Sequence, residues 1–410
     1  MSTNLLRRGS AIVVALIAGV MLAAAWSSRS IPVDRAPSVA PAQDAATIAR
    51  GAYLARLGNC AGCHTAAGSV AYAGGRGIST PFGTVYAGNL TPDDVTGLGR
   101  WSADDFWRAM HLGRGRDGRA LVPAFPYTEF TKITRADSDA LWAYLGSLPA
   151  VSQKPRPHEL RFPYNTVLAI EVWRAIYFEP GVYVSDPSRS TEWNRGAYLT
   201  QGLGHCVACH APRDRFGGPG DAPTGGLMAG QQWWAPALAV HPGDAESVLT
   251  LLKTGQSALG TAMGPMAEVV VQSTQHWSDA DLRAIATYLQ SLPPAKPTAA
   301  APSHVAPPER GQRLYAERCA DCHGERGEGV PGTYPPLAGN PSVLQPNPAN
   351  LVHAVRRGGF APATLAHPRP YGMPPIDLND AALADLLTYV RRSWGNDAPA
   401  VDELQVLRSR

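Results

Sequence analysis

Charge is scarce in this chain of 410 residues: Asp, Glu, Lys and Arg together make up 17%, and the formal net charge is +3. This excludes the charge-rich, core-poor make-up of a disordered polymer. It also leaves no basic footprint for DNA or RNA, so no nucleic-acid partner is expected. Lysine is nearly missing, four against 32 arginines, which removes a strong lysine docking ring. No dinucleotide site or other organic-cofactor site is read from the sequence, so no catalytic residue is assigned and substrate oxidation must come from another chain. Long apolar runs are equally rare: a single stretch near the amino terminus is long enough to span a bilayer. Gly and Pro are abundant, at 41 and 37 residues, yet short of low complexity. A folded chain with many loops follows, and its length suggests two to four domains.

Cysteine occurs six times and never outside a Cys-x-x-Cys-His pentad: Cys60-Ala61-Gly62-Cys63-His64, Cys206-Val207-Ala208-Cys209-His210 and Cys319-Ala320-Asp321-Cys322-His323. The spacing reads as covalent attachment of c-type haem, with two thioethers to the vinyl groups and the adjacent histidine as proximal iron ligand. One pentad alone could be a redox dithiol or half of a zinc site. Three complete copies, each with its histidine, point instead to three covalently bound haem c groups, with His64, His210 and His323 on iron.

Arg7 and Arg8 precede Gly9–Ser28, a stretch without charge and strongly apolar over Ala11–Trp26. This exports the chain. Ala23 and Ala25 permit cleavage of a signal peptide, while the length also suffices for a retained membrane anchor, and both remain open. In either case the body lies outside the cytoplasm, where haem is attached to thiols.

The same grammar recurs three times. Arg50-Gly51-Ala52-Tyr53-Leu54 stands ten residues before Cys60, Arg195-Gly196-Ala197-Tyr198-Leu199 eleven before Cys206, and Arg310-Gly311 nine before Cys319. Capped amphipathic helices are expected over 134–148, 278–292 and 379–394, with Thr134, Ser278 and Asn379 as N-caps. Opening helix, pentad, long loop and closing helix describe a small all-helical cytochrome c domain. The expected fold is all-α, three tandem cytochrome c domains after an N-terminal signal or anchor segment. Its expected parts are a signal or anchor (1–30), a tether (31–45), the first domain (46–150), an ordered interdomain arm (151–191), the second domain (192–292), a Pro/Ala linker (293–308), the third domain (309–395) and a polar tail (396–410). Within the arm, 167–178 carries Glu171 and Arg174 and reads as a helix packed between domains. The run Arg114-Gly115-Arg116-Asp117-Gly118-Arg119 reads as a solvated loop.

Sixth ligands are sought among few methionines. Met373, in Arg369-Pro370-Tyr371-Gly372-Met373-Pro374-Pro375, is the one candidate in the third domain. In the second, Met266 follows Pro265 in a loop before the closing helix and is favoured over Met263; Met228 stands too early. A thioether opposite histidine raises the haem potential and suits a relay.

These residues, with Thr80-Pro81-Phe82-Gly83-Thr84, Asn89-Leu90-Thr91-Pro92-Asp93, Gly264-Pro265-Met266-Ala267-Glu268 and Ser393-Trp394-Gly395-Asn396, resemble the triheme cytochrome c subunit of bacterial membrane-bound dehydrogenases. That type occurs with alcohol, gluconate, fructose and some molybdenum-containing aldehyde or N-heterocycle dehydrogenases. The resemblance implies electron transfer from a large catalytic dehydrogenase subunit to ubiquinone or a terminal oxidase, on the periplasmic side of the bacterial cytoplasmic membrane, with Met266 and Met373 at axial positions. The first domain departs from it. Where many members read Pro-Ala-Met-Pro-Tyr, this chain has Pro123-Ala124-Phe125-Pro126-Tyr127, which leaves Met110, His111 or no side chain for the first iron. The alternative reading is a self-sufficient haem enzyme, a peroxidase or small-oxide reductase, working at an open first haem.

Overall fold

The computed structural model describes residues 42–294 and 306–409, apart from Asp221, Ala229 and Leu259. The apolar segment Gly9–Ser28, the tether up to Pro41 and most of the linker lie outside the described residues. Among those described, the chain is mostly helical, with short two- and three-stranded ribbons set in the loops.

Three pairs of helices carry the frame: Ala45–Leu57 with Arg135–Gly146, Thr191–Tyr198 with Asp279–Gln290, and Glu309–Arg318 with Asp380–Arg392. Each closing helix begins where a side chain caps it, the oxygens of Thr134, Ser278 and Asn379 accepting from the amides of Asp137, Asp281 and Ala382. In each pair the opening helix touches its partner at a glycine. A Cβ at Gly51 would fall 1.9 Å from the Ala140 carbonyl oxygen, one at Gly196 1.9 Å from that of Ala284, and one at Gly311 2.3 Å from that of Asp385. Only the missing side chain lets the backbones approach so closely. The arginine before each glycine then reaches an aspartate of the partner: Arg50 to Asp137, Arg195 to Asp281 at 2.7 Å, and Arg310 to Asp385 at 2.6 Å. The third repeat carries Ala382 where the others have their N-terminal aspartate, and its ion pair moves one turn along the helix to Asp385.

Contacts divide the chain into two compact units. The first comprises residues 42–52, 64–183 and 214–219 of the described chain; the second comprises 53–63, 184–213 and 220–409.

In the first unit the strands Gly77–Thr80 and Gly83–Tyr86 form a hairpin that Glu159–Leu160 extends. The helix Val167–Tyr177 turns its charges inward. Arg174, 5% exposed, lies over the rings of Tyr127 and Phe178, and Glu171 holds Arg114 at 2.9 Å with both side chains largely covered. Val167, Leu168 and Ile176 are exposed instead, the reverse of what an apolar helix buried in packing would show. The basic run is likewise not a plain solvated loop, because Arg114 is committed to Glu171. Two stretches, 113–118 and 327–332, have the G-x-G-x-x-G spacing. Neither joins a strand to a helix, so neither forms a dinucleotide turn.

The second unit holds the second and third repeats. Val343, Val352, Leu383, Leu386 and Leu387 centre one apolar core, and Val401 and Val406 belong to it. Residues 396–409 are therefore no free tail: Glu403–Arg408 is a helix opened by a capping box on Asp402. Arg391, 1% exposed, ties this return in place by donating to the carbonyls of Pro399 (2.8 Å), Val343 (2.7 Å) and Gln345 (2.8 Å). Burial without a carboxylate pushes its guanidinium down to about 10.

Candidate functional site

Each pentad folds as a single short helical turn: Cys60–His64, Val207–His210 and Ala320–His323. The first two leave their opening segment through a residue in the left-handed region, Asn59 at φ 48° and His205 at φ 38°. In the third, Cys319 makes the break with φ −128°. A helix could not continue through either conformation, so the thiols and the histidine are turned onto a fresh axis. His205, a neighbour of Cys206, points its Nδ1 at the Leu203 carbonyl, 3.1 Å away. Burial, followed by the partner thiol, pushes the Cys60 and Cys206 thiols up to about 12 and that of Cys319 up to about 11.

The three pentad histidines share one contact. Nδ1 of His64 lies 2.7 Å from the Gly88 carbonyl oxygen, that of His210 2.7 Å from Pro236, and that of His323 3.0 Å from Pro335. A carbonyl only accepts, so Nδ1 carries the proton and donates it, leaving Nε2 as a lone-pair donor. This is how a metal-bound imidazole is oriented and made more basic by its neighbours. The donor set, two thiols and one oriented imidazole per turn, fits haem c.

Two of these carbonyls stand beside loops that an asparagine locks. Asn89 is 6% exposed; its amide donates to the Val151 carbonyl at 2.7 Å and its oxygen accepts from the amide and hydroxyl of Thr91. The Asn-Leu-Thr stretch is thus a lock on the loop that presents Gly88. Asn340, also 6% exposed, does comparable work beyond Pro335, donating to Pro336 and accepting from the Ser342 amide. Backbone acceptors of this kind have no residue signature, and sequence reasoning missed all three.

On the candidate sixth-ligand side, Met266 lies not in a loop but in the first turn of the helix Gly264–Gln272, with Pro265 at its start and Met263 at its N-cap. The Met263 methyl group reaches toward Gly359, whose ideal Cβ would be 3.9 Å from it. Met373 sits in the strand Gly372–Met373, paired with Gly359–Phe360, and packs partly against the core of the third repeat. In the first repeat Phe125 packs on Phe130 at 5.4 Å between ring centres. Met110, 5% exposed, is enclosed one turn after the buried Phe106. His111 stacks on Trp107 at 4.5 Å, its Nδ1 2.9 Å from the Thr131 carbonyl.

No group of three or more His, Cys, Asp or Glu among the described residues forms a metal cluster. No helix among them is long and apolar enough to cross a membrane.

Known proteins resemble this chain in sequence. The cytochrome c family model matches residues 48–149, 195–293 and 308–394, one stretch around each pentad. A nicotinate dehydrogenase subunit of Pseudomonas putida is 42% identical over 401 residues, covering 93% of this chain, which spans only 33% of that protein. The cytochrome c subunit of alcohol dehydrogenase (quinone) from Gluconobacter oxydans is 37% identical over 90% of this chain and 84% of its own length. The gluconate 2-dehydrogenase cytochrome c subunit of Pantoea cypripedii is 34% identical over 87% of each. The pairs Cys60 and Cys63, Cys206 and Cys209, and Cys319 and Cys322 are accordingly attachment points for three haem c groups. With the family model covering each repeat, the chain belongs to the cytochrome c family.

Proposed function

We propose that this chain is a triheme electron-transfer subunit, taking electrons from a separate catalytic dehydrogenase subunit and delivering them to ubiquinone or a terminal oxidase at the periplasmic face of a bacterial membrane. The observation that carries it is the threefold orientation of His64, His210 and His323 by backbone carbonyls. Relatives named as cytochrome subunits of alcohol, gluconate and fructose dehydrogenases support the partner. Bound haem c supplies a one-electron couple. The protein's own part is to fix three imidazole tautomers, to set thioethers at the cysteine pairs, and to offer Met266 and Met373 as sixth ligands that favour the reduced state. No side chain is assigned a catalytic role.

Phe125 favours a second reading, a self-sufficient haem enzyme working at the first iron, because a phenyl ring donates nothing to a metal and would leave that iron open to small ligands. The test separates the two. The purified holoprotein should be reduced only when a dehydrogenase and its substrate are supplied, with three haems per chain by mass spectrometry. Turnover of peroxide by the chain alone would instead make it a haem enzyme.

A further inference from the structure

One aromatic side chain stands where the second and third repeats meet. The strand Trp233–Ala235 pairs on one edge with Gly226–Met228, and its continuation supplies the Pro236 carbonyl that orients His210. Its other edge is capped by a side chain of the third repeat: the Trp234 amide donates to Asn350 Oδ1 at 2.8 Å, and Asn350 Nδ2 donates back to the Trp234 carbonyl at 2.9 Å. Trp234 Nε1 also donates to Gln345 at 3.1 Å. The two repeats are thereby fixed in register by a side chain imitating a strand.

Trp233 occupies the middle of this seam. On one side its indole lies against Gly264: a Cβ there would fall 2.5 Å from the ring, and φ of +54° already calls for glycine. Gly264 opens the turn that bears Met266. On the other side the ring packs on His353 at 4.8 Å. His353 is 1% exposed and its Nε2 donates to the Gln232 carbonyl at 2.8 Å. The helix of His353, Ala349–Arg357, runs into Gly358 and the strand Gly359–Phe360, where Gly359 is the partner of Met373. A Cβ on Gly358 would lie 2.2 Å from the Met373 carbonyl oxygen, so the methionine strand follows the helix end closely.

We propose that Trp233 is a positioning residue shared by the second and third haems, a wedge that holds the Met266 turn and, through His353, the Met373 strand at fixed places. The inference rests on the reading of Met266 and Met373 as sixth ligands. Close packing transmits a change of volume at the indole in both directions, because neither glycine contact has room to absorb it. Removing the ring would let both methionine side chains drift from the places where they would serve as sixth ligands, and the preference for the reduced state that a thioether supplies would fall at both centres. Trp233 thus makes two haems respond as a pair.

The test is a spectroscopically resolved redox titration of the holoprotein. Met266→Ala and Met373→Ala should each lower one potential, and a different one. Trp233→Leu should lower those same two together, each by about tenfold in the reduction equilibrium, about 59 mV for one electron, and leave the first haem unmoved. Trp233→Phe, which keeps a ring against Gly264, should restore most of both shifts. His353→Leu, which leaves the strand itself untouched, should move the potential assigned to Met373 and serves if the tryptophan variant fails to fold. A shift of one potential alone, or of none, in Trp233→Leu while both methionine variants act as expected overturns the wedge and spares the ligands. Methionine variants with unchanged potentials overturn the ligand reading, and the wedge with it.

Discussion

In the first repeat the loop ahead of the closing helix sets Phe125 against Phe130, whereas in the third the corresponding loop sets Met373 in a strand hydrogen-bonded to Gly359–Phe360. Behind these loops the two repeats are built alike: a glycine contact between helices, an arginine–aspartate pair, a capped closing helix and a histidine aimed by a carbonyl. On the proposed reading, the frame that presents the pentad histidine is thus separable from the segment that would supply, or withhold, a sixth ligand. One chain carries the same attachment device three times while varying the loop ahead of the closing helix, which on that reading would set potential and ligand access.

The largest effect expected is an exchange of these two characters. Phe125→Met should abolish carbon monoxide binding by one iron in three and raise that potential, while Met373→Ala should create carbon monoxide binding at another and lower its potential. Wild-type protein inert to carbon monoxide would erase the distinction at the first repeat. Next comes the shared frame. Gly196→Ala drives a methyl group into the Ala284 carbonyl, and overpacking against backbone should cost about 3 kcal/mol, read as an early transition in calorimetry of the holoprotein. Gly146→Ala, with nothing within 4 Å of its Cβ, is the matched control and should not destabilise.

A smaller loss should follow Asp281→Asn. Burial raises this carboxyl, but hydrogen bonds from Arg195 and Tyr53 outweigh it and hold the pKa below the usual aspartate value. Stability from a lowered carboxyl is complete above its unfolded pKa, about 3.9, and is lost as pH falls through the lower folded value. The variant should therefore be weaker by about 2 kcal/mol at neutral pH, below the 3 to 5 kcal/mol of a fully buried pair because Arg195 is a third exposed. It should also lose less than wild type between pH 4 and more acid conditions, to be followed by acid unfolding. Smallest is Ser278→Ala, which removes the bond to the Asp281 amide and should cost about 1 kcal/mol.

Reading along the chain reaches the pentads, the caps Thr134, Ser278 and Asn379, and the mostly helical architecture, because each rests on local chemistry: fixed spacing, a hydroxyl or amide at a helix start, an apolar period. It fails where the decisive partner is backbone or distant. The carbonyls of Gly88, Pro236 and Pro335 carry no side-chain signal. Composition makes residues 396–410 look like solvent, yet two valines there complete a core formed far upstream. Arg114 looks like one basic residue among several until Glu171, more than fifty positions later, claims it. The stretch around Met266 is legible, but Pro265 opens a helix there instead of bracing a loop, the other common use of proline.

The helix crossings at Gly51, Gly196 and Gly311 also fix an order of events. Each joins a segment before its pentad to one long after it, so each closes a large loop, an event that is slow and entropically costly. Synthesis delivers the opening helix and the pentad first and the closing helix last. In every repeat the pentad thus emerges before the glycine has a backbone to meet, and the crossing can close only once the whole repeat is available.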